Sequence, residues 1–306
     1  MAALKHIKLK IQSYRKTGTV THAMEAVSAV KMRKAQERAL AARPYVRAAL
    51  RILRGLSGSN DTAQHPLTID RGAGKVAILA ITSDKGLAGS FNSAVLKKVE
   101  NFIRGRNLKT DDIIFLCLGR RVYEYVLARG YKVARHHVNI SDGIDENEFQ
   151  MITKQVLTLY QSGVVNEVHA AYTNFKSTFE QHAAMHKILP LSEAIIQHIA
   201  EDISFKKGKF AEIFDSAPLV PSYTIEPEAH DVVALLLPML LNIAIFHKLL
   251  ESKASEHSAR MVAMKNATDK AKEMATDLTR TFNKARQAAI TREVSEITSG
   301  IEAMRP

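Results

Sequence analysis

The sequence contains a single cysteine, Cys117, and no tryptophan. One cysteine cannot form an internal disulfide, and it also excludes a metal site built on several thiolates. Cys117 lies within the apolar run 113–118, which predicts a buried strand that carries an unreactive core thiol. Hydrophobic residues make up 46% of the chain and charged residues 24%, so we expect a soluble folded protein.

The sequence also lacks a long uninterrupted apolar run. The strongest one, residues 232–246, has 15 residues and contains Pro238 and Asn242. A membrane-spanning helix needs about 20 residues, so this stretch predicts a buried helix instead. Lysines at positions 5, 8 and 10 interrupt any secretory signal. We therefore expect membrane association only through partners.

Glycine and proline are scarce at both ends of the chain. Residues 1–54 contain only Gly18 and Pro44, and residues 239–299 contain neither, whereas eleven of the 14 glycines lie between positions 55 and 163. Because these residues punctuate turns, their absence predicts a long helix at each end.

Small and apolar residues recur in both end segments at steps of three and four, which is typical of coiled coils. In the amino-terminal segment the predicted stripe is Ile7, Ile11, Tyr14 and Gly18, and then a second set of Val20, Met24, Val27 and Val30. In the carboxy-terminal segment it is Ala267, Ala271, Met274, Leu278, Phe282, Ala285 and Ala289, followed by a second set of Ile290, Val294, Ile297 and Ile301. We predict an antiparallel pair of helices that projects from a compact middle domain. A bundle of several shorter helices is the alternative.

The middle of the chain alternates between strand-like and helix-like segments. Predicted strands cover 75–83, 113–118 and 167–173, with 177–189 as a further edge strand, and predicted helices cover 91–104, 120–129 and 146–161. This alternation predicts a mostly parallel sheet with helices on its faces, a Rossmann-like α/β domain. Residues 200–230, with three prolines, read as a connection. The predicted domains are an amino-terminal coiled-coil helix (1–57), the α/β domain (58–209), and the connection with the carboxy-terminal coiled-coil helix (210–306).

The net charge of +12 is concentrated at the amino terminus. Residues 1–54 carry 13 lysines and arginines against two acids, Glu25 and Glu37. Such a segment favours an acidic partner, which can be a nucleic acid, an anionic membrane or an acidic protein surface.

Candidate chemical sites are weak. Residues 82–90 follow a predicted strand and precede a helix, as a phosphate-binding loop does, but they match neither the Walker nor the dinucleotide glycine pattern, so a tight structural turn is favoured. His136 and His137 are adjacent on a strand, and His182 and His186 lack the helical setting that zinc binding at this spacing needs. We predict no catalytic, cofactor-binding or metal-binding residue.

Five segments of the chain resemble the γ subunit of F-type (rotary) ATP synthases. They are residues 11–17 (IQSYRKT), 23–36 (AMEAVSAVKMRKAQ), 84–89 (DKGLAG), 258–268 (SARMVAMKNAT) and 283–297 (NKARQAAITREVSEI). The order and the positions at both ends match the family. The family often has Cys and Gly where Ala88 and Ser90 stand, and small residues where Glu302 stands. Because the pattern starts by residue 5, we expect no presequence.

The resemblance implies a function. A γ subunit is the central-stalk rotor, which turns with the ring of c subunits and drives the catalytic β subunits through states of different nucleotide affinity. It also regulates ATPase activity and proton flow. It binds no cofactor and is a non-catalytic subunit of the proton-transporting enzyme. The implied partners are the α and β subunits, the ε subunit and the c ring. The implied location is peripheral, on the cytoplasmic face of a bacterial plasma membrane or on the equivalent matrix or stromal face.

The resemblance also implies which residues contact the catalytic hexamer, where the β subunits present an acidic loop to the basic shaft. These rotor contacts are Met24, Lys31, Arg33, Arg260, Arg286, Gln287 and Thr291.

Two other interpretations remain open at this point. A basic coiled coil that binds nucleic acid is the first, although only Tyr14 and Tyr45 are available for base stacking in the basic segment. A nucleotide-dependent enzyme that uses the loop at 84–89 is the second.

Overall fold

The computed structural model describes residues 2–41, 48, 65–144, 146–192, 194–197, 199 and 228–303. Most of the predicted connection at 200–230 lies outside these residues. The chain forms two compact units, one of residues 1–29 with 260–306 and one of residues 30–259.

A long helix occupies each end of the chain, as the scarcity of glycine and proline predicts. Helix α1 is Ala2–Ala41 and helix α5 is Ala229–Ala303. Pro238 lies inside α5, as its tenth residue. The predicted fold class, with long amino- and carboxy-terminal helices and a central Rossmann-like sheet, is therefore confirmed.

The central sheet has five strands in the order β3-β2-β1-β4-β5. The strands are β1 (Val76–Ile81), β2 (Ile113–Leu118), β3 (Lys132–His137), β4 (Glu167–Phe175) and β5 (Gln181–Leu189). The first four are mutually parallel, and β5 is antiparallel to β4 at the edge. Helices α2 (Phe91–Gly105), α3 (Arg120–Ala128) and α4 (Glu146–Gln161) connect them, with a short 3-10 turn at Thr110–Asp112 before β2.

Strand β3 contains His136 and His137, which the sequence analysis places on a strand without assigning that strand to the sheet. It lies at one edge, and its side chains alternate irregularly between exposed and half-buried. Edge strands of this kind carry little of the apolar signal on which sequence assignment depends. The adjacent histidines on it do point apart. The His136 ring stacks on Tyr123 of α3 at 4.1 Å, and His137 Nε2 lies 2.9 Å from Gln155 Oε1 of α4.

Each face of the sheet is covered by a separate hydrophobic core. On one face α2 and α3 pack on alternate residues of β1 and β2, including Ile78, Phe115 and the buried Cys117. Burial raises the pKa of the Cys117 thiol to about 12, so the thiol is protonated and unreactive.

The first turns of α5 pack on the opposite face together with α4. Leu237, Leu240 and Leu241 are buried in this second core, and the rings of Phe149 and Phe246 lie 4.8 Å apart. Asn242 Oδ1 accepts a hydrogen bond of 2.6 Å from Thr153. By length and hydropathy α5 would qualify as a membrane-crossing helix. The core contacts account for this apolarity, and residues 232–246 are the buried helix that the sequence predicts.

Strand β4 runs past the end of β1, and serines of α5 bind backbone groups of this part of β4 and of the hairpin that follows it. Thr173 N donates to Ser252 Oγ at 3.1 Å, and Ser255 Oγ donates to Thr173 O at 3.4 Å. Ser258 Oγ donates to Thr178 O in the β4–β5 hairpin at 2.7 Å. Small hydroxyl side chains at steps of three thus let this helix lie close to the strand.

In the unit formed by residues 1–29 and 260–306, the two helices pair antiparallel through small residues. Thr21 Oγ1 and Thr268 Oγ1 are 2.6 Å apart, and a Cβ at Gly18 would meet Ala271 Cβ at 3.6 Å. Extending this register along the helices places Ala2 level with Gln287. No described residue of α1 therefore lies opposite the last turns of α5, and Ile290, Val294 and Ile297 are exposed.

The predicted stripe of α1 is correct only in its first half. Ile11 and Gly18 are buried, but Val20, Val27 and Val30 are each more than half exposed. The described buried positions of α1 beyond Gly18 are Thr21, Ser28, Ala35 and Ala39. Small and polar residues face inward in this part of α1, so a prediction based on apolar residues selects the exposed face of the helix.

Candidate functional site

The seven predicted rotor contacts are distributed over both compact units. Met24, Arg260, Arg286, Gln287 and Thr291 belong to the unit of residues 1–29 and 260–306, while Lys31 and Arg33 belong to the other. Arg33, Arg286, Gln287 and Thr291 are exposed and Met24 is half-buried. Arg260 is only 8% exposed, which leaves little of its side chain for a partner.

The end of α5 offers the most accessible of these residues. Arg286 and Gln287 lie level with the first described residues of α1, Thr291 lies beyond them, and every residue from Ile290 onward whose burial is described is exposed. An exposed helix with arginines and three large apolar side chains is suited to a surface that a partner covers. Arginine supplies donors for carboxylates, and the isoleucines and valine supply apolar area.

A groove of about 660 Å³ runs along the helix pair in the same unit. Its floor is formed by Gly18, Ala271 and Ala275, and its walls include Arg15, Lys272 and Arg280. The hydroxyls of Thr19, Thr276 and Thr279 donate to carbonyls of their own helices. The groove is therefore lined by small residues and by basic side chains.

In the other unit, Lys31 is engaged within the chain. Its Nζ lies 2.8 Å from Asp142 Oδ2, in the loop after β3. Asp142 Oδ1 also lies 2.9 Å from His257 Nε2 and 3.7 Å from Lys253 Nζ, both on α5. The hydrogen bond to His257, with the contact to Lys31, lowers the pKa of Asp142 well below its ordinary range. Asp142 is not among the residues predicted from the sequence, because its partners are more than 100 residues away along the chain.

The loop after β1 is a structural turn. Ser83 N and Oγ donate to Asn92 Oδ1, each at 3.0 Å, and Ser83 Oγ also lies 2.6 Å from Lys85 O. Thr82 Oγ1 and Asp84 Oδ1 accept from the backbone N–H groups of Val122 and Arg120. The Asp84 carboxylate thus lies at the amino terminus of α3, where a bound anion would otherwise be stabilised.

Histidines and carboxylates form local structural contacts. His182 Nε2 lies 2.7 Å from Glu180, and His186 Nδ1 lies 3.2 Å from the Tyr172 hydroxyl. Both histidines are on β5, a strand, as predicted. Within the part of the chain that the structure describes, no group of three His, Cys, Asp or Glu side chains is placed to hold a metal ion.

A second ion-pair cluster joins α2, β4 and β5. Glu167 accepts from Arg106 at 2.6 Å and from Lys187 at 3.1 Å, and its Oε2 lies 2.9 Å from His169 Nε2. Burial alone would raise the pKa of Glu167, but the hydrogen bonds from Arg106, His169 and Lys187 outweigh it and hold the pKa at about 2. This cluster fastens the edge strand and is satisfied internally.

The fold resembles solved structures of ATP synthases. A chain of the Euglena gracilis mitochondrial ATP synthase rotor superposes with a TM-score of 0.62 at 16% identity, covering 94% of this chain and 99% of that one. A chain of the Tetrahymena thermophila mitochondrial ATP synthase central stalk and c ring gives a TM-score of 0.59 at 22% identity, covering 81% and 99%. At these identities the likeness establishes the fold.

Sequence relationships establish the family. A family model described as ATP synthase matches residues 3–304. The ATP synthase gamma chain of Heliobacterium modesticaldum is 36% identical over 304 residues, covering 99% of this chain and all of that one. The ATP synthase gamma chain of Geotalea daltonii is also 36% identical, over 307 residues and the whole of both chains. Since the identity extends from the basic amino-terminal helix through the sheet to the exposed end of α5, the chain belongs to the ATP synthase gamma chain family.

Proposed function

We propose that this chain is the central-stalk rotor subunit of a proton-translocating ATP synthase. The observation that carries the proposal is 36% identity to ATP synthase gamma chains over the full length of both proteins. The chain would turn with a ring of c subunits and drive the catalytic β subunits through their cycle. ATP chemistry would take place on its partners, and this chain would couple and regulate it.

The partners of the structural neighbours support this assignment. Those neighbours come from assemblies described as a rotor, as a central stalk with c ring, and as F1 with c ring. We infer that this chain contacts the α and β subunits through its paired helices and the c ring and ε subunit through its sheet. Its place would be peripheral to the membrane, on the cytoplasmic face in a bacterium.

The rotor contacts remain those that the family resemblance implies: Met24, Lys31, Arg33, Arg260, Arg286, Gln287 and Thr291. The exposure of Arg286, Gln287 and Thr291 supports their part in this proposal. Burial of Arg260 and the ion pair of Lys31 favour a supporting role for these two, in which they shape the helices that a partner touches.

Nucleic-acid binding has no support as a second function. The relatives and solved structures described above are all components of ATP synthases. The basic helix α1 is explained by an acidic protein surface, since charge attraction of this kind tolerates rotation better than a close-packed apolar contact.

Reconstitution tests the proposal. The purified chain would be mixed with α and β subunits of the same synthase, and complex size and ATP hydrolysis would be measured. We expect a complex of three α, three β and one copy of this chain, whose sustained hydrolysis depends on the chain. A chain that stays apart from α and β, or hydrolysis that is the same without it, would overturn the proposal.

A further inference from the structure

Asp142 occupies a position where three separate parts of one compact unit meet. Its carboxylate contacts Lys31 of α1 and both Lys253 and His257 of α5, while Asp142 itself belongs to the loop between β3 and α4. All of these residues lie in the unit of residues 30–259. One carboxylate therefore links the sheet to both long helices.

The loop that carries Asp142 is held firmly. Ile140 and Ile144, on either side of it, are 7% exposed and belong to the core beneath the sheet. Ser141 Oγ accepts from Gly143 N at 3.0 Å, and Ile144 N donates to Ser141 O at 3.2 Å. The loop thus places the carboxylate by packing on the core rather than by the ion pairs alone.

Both helices present two groups to this loop from one face. On α1, Lys31 contacts the carboxylate, and Arg38, two turns later, donates to the Asp142 carbonyl at 2.8 Å. On α5, Lys253 and His257 are one turn apart, and Lys253 Nζ also donates to Ile140 O at 2.9 Å. Residues four or seven apart share a helix face, so each helix is held at two points.

The partners on α5 are largely removed from water. The side chains of His257 and Lys253 are 5% and 13% exposed, and that of Asp142 is 30% exposed. Removing the negative charge would weaken the contacts of Asp142 with Lys253 and His257 in a partly buried site, which costs more than the loss of a surface ion pair.

We propose that Asp142 is a positioning residue that binds both long helices to the sheet, so that torque passes between them without slip. This inference rests on the proposed rotor function. A shaft that is driven at the sheet and does its work through its helices needs both helices fixed to the sheet at the same place. Core packing and the serine contacts hold α5 on the sheet, and Ala35 of α1 packs with Phe175 and Ala254. The Asp142 clasp (Asp142 with Lys31, Arg38, Lys253 and His257) adds a polar link that joins both helices to the same loop.

The test uses the whole synthase in liposomes, with protons pumped per ATP hydrolysed as the readout. Asp142→Asn keeps the size of the side chain and removes its charge. Lys253→Gln removes one partner and leaves the carboxylate in place. Glu180→Gln is the matched control, because Glu180 also contacts a lysine and a histidine, Lys176 and His182, but within a single hairpin.

For Asp142→Asn we expect the ratio of protons pumped to ATP hydrolysed to fall by about threefold, within the range found for residues that couple distant sites. Lys253→Gln should lower the ratio less, and Glu180→Gln should leave it unchanged. ATP hydrolysis by complexes detached from the membrane should stay near the wild-type rate.

An unchanged ratio in Asp142→Asn would overturn the inference. If Asp142→Asn does not assemble, a wild-type ratio in Lys253→Gln would overturn it instead. Failure of the proposed function itself would appear separately, as a wild-type chain that does not support coupled hydrolysis.

Discussion

At the scale of single residues, Gly119 is the position where the backbone most clearly requires glycine. Its φ is +103°, and a Cβ there would lie 2.1 Å from the Thr82 carbonyl oxygen. Gly119 joins β2 to α3, beside the turn that follows β1. The two atoms nearest to a Cβ at this position are the carbonyl oxygen and carbon of Thr82, which belong to the backbone and can move only if the turn is distorted. The close approach of these two segments therefore depends on the missing side chain.

We expect Gly119→Ala to lower the free energy of unfolding of the sheet unit by about 2 kcal/mol or more, from the strained φ and the clash together. Urea unfolding followed by tyrosine fluorescence would measure it, since the chain has no tryptophan. Gly105→Ala is the control, because nothing lies within 4 Å of a Cβ there. It should be neutral or slightly stabilising, and equal effects of the two substitutions would contradict the account.

Glu167 should make stability depend on pH in the acid range. Its pKa falls from an ordinary value of 4.5 to about 2 in the folded chain. Because the folded pKa is the lower one, its contribution is complete above pH 4.5 and is lost as the pH falls toward 2.

The comparison of wild type with Glu167→Gln isolates this effect. At neutral pH the variant should be less stable by about 1–3 kcal/mol. The difference should shrink when the unfolding is repeated at about pH 3, where the wild-type carboxylate begins to take up its proton. A difference in stability that is the same at neutral pH and at about pH 3 would show that it does not come from the ion pairs of Glu167.

At the scale of elements, the sequence predicts most of the fold because its signals are local. Helix α4 and strand β2 have the bounds that periodicity indicates, and the long helices follow from missing glycine and proline. Strand β3 is not assigned to the sheet because an edge strand shows no clear apolar alternation. The stripe at Val20, Val27 and Val30 is wrong because apolar residues there face outward, and polar Thr21 and Ser28 face inward.

The candidate site is less predictable from sequence than the fold. Family resemblance selects Arg286 and Gln287. Both are exposed, because the amino-terminal end of α1 lies level with this part of α5. It also selects Lys31, yet the pairing of Lys31 with Asp142 depends on tertiary structure alone. No local pattern reports a contact between side chains 111 residues apart.

The serine row of α5 is an element-scale feature that can be tested. Ser252→Ala removes the acceptor of a buried hydrogen bond from Thr173 N, so we expect a loss of about 1–3 kcal/mol in the free energy of unfolding. Thr281→Ala on the same helix is the control, since Thr281 is exposed and its hydroxyl bonds only its own helix. Thermal unfolding followed by circular dichroism would compare the two. A Ser252→Ala variant as stable as Thr281→Ala would exclude the role assigned to the row.

At the scale of the whole molecule, the exposed end of α5 should matter only in the assembled enzyme. We expect Arg286→Ala with Gln287→Ala to leave the stability of the isolated chain unchanged, because both side chains are exposed. In the synthase the same variant should lower ATP synthesis and ATP-driven proton pumping severalfold, because it would remove the contacts with a β subunit that we propose for these two residues. Lys97→Ala with Lys98→Ala, also exposed but on α2, is the control. Unaltered synthesis and pumping in the α5 variant would show that these two residues are not rotor contacts.

Rotation of this chain inside a catalytic hexamer can be observed directly. Phe179→Cys places a thiol at a hairpin position that is 86% exposed, while the native Cys117 is buried and protonated, so a bead can be attached to this chain at one site. With the hexamer fixed to a surface and ATP supplied, we expect continuous rotation of the bead in one direction that stops when ATP is withdrawn. A bead that stays still on complexes that hydrolyse ATP at the normal rate would show that this chain is not the rotor.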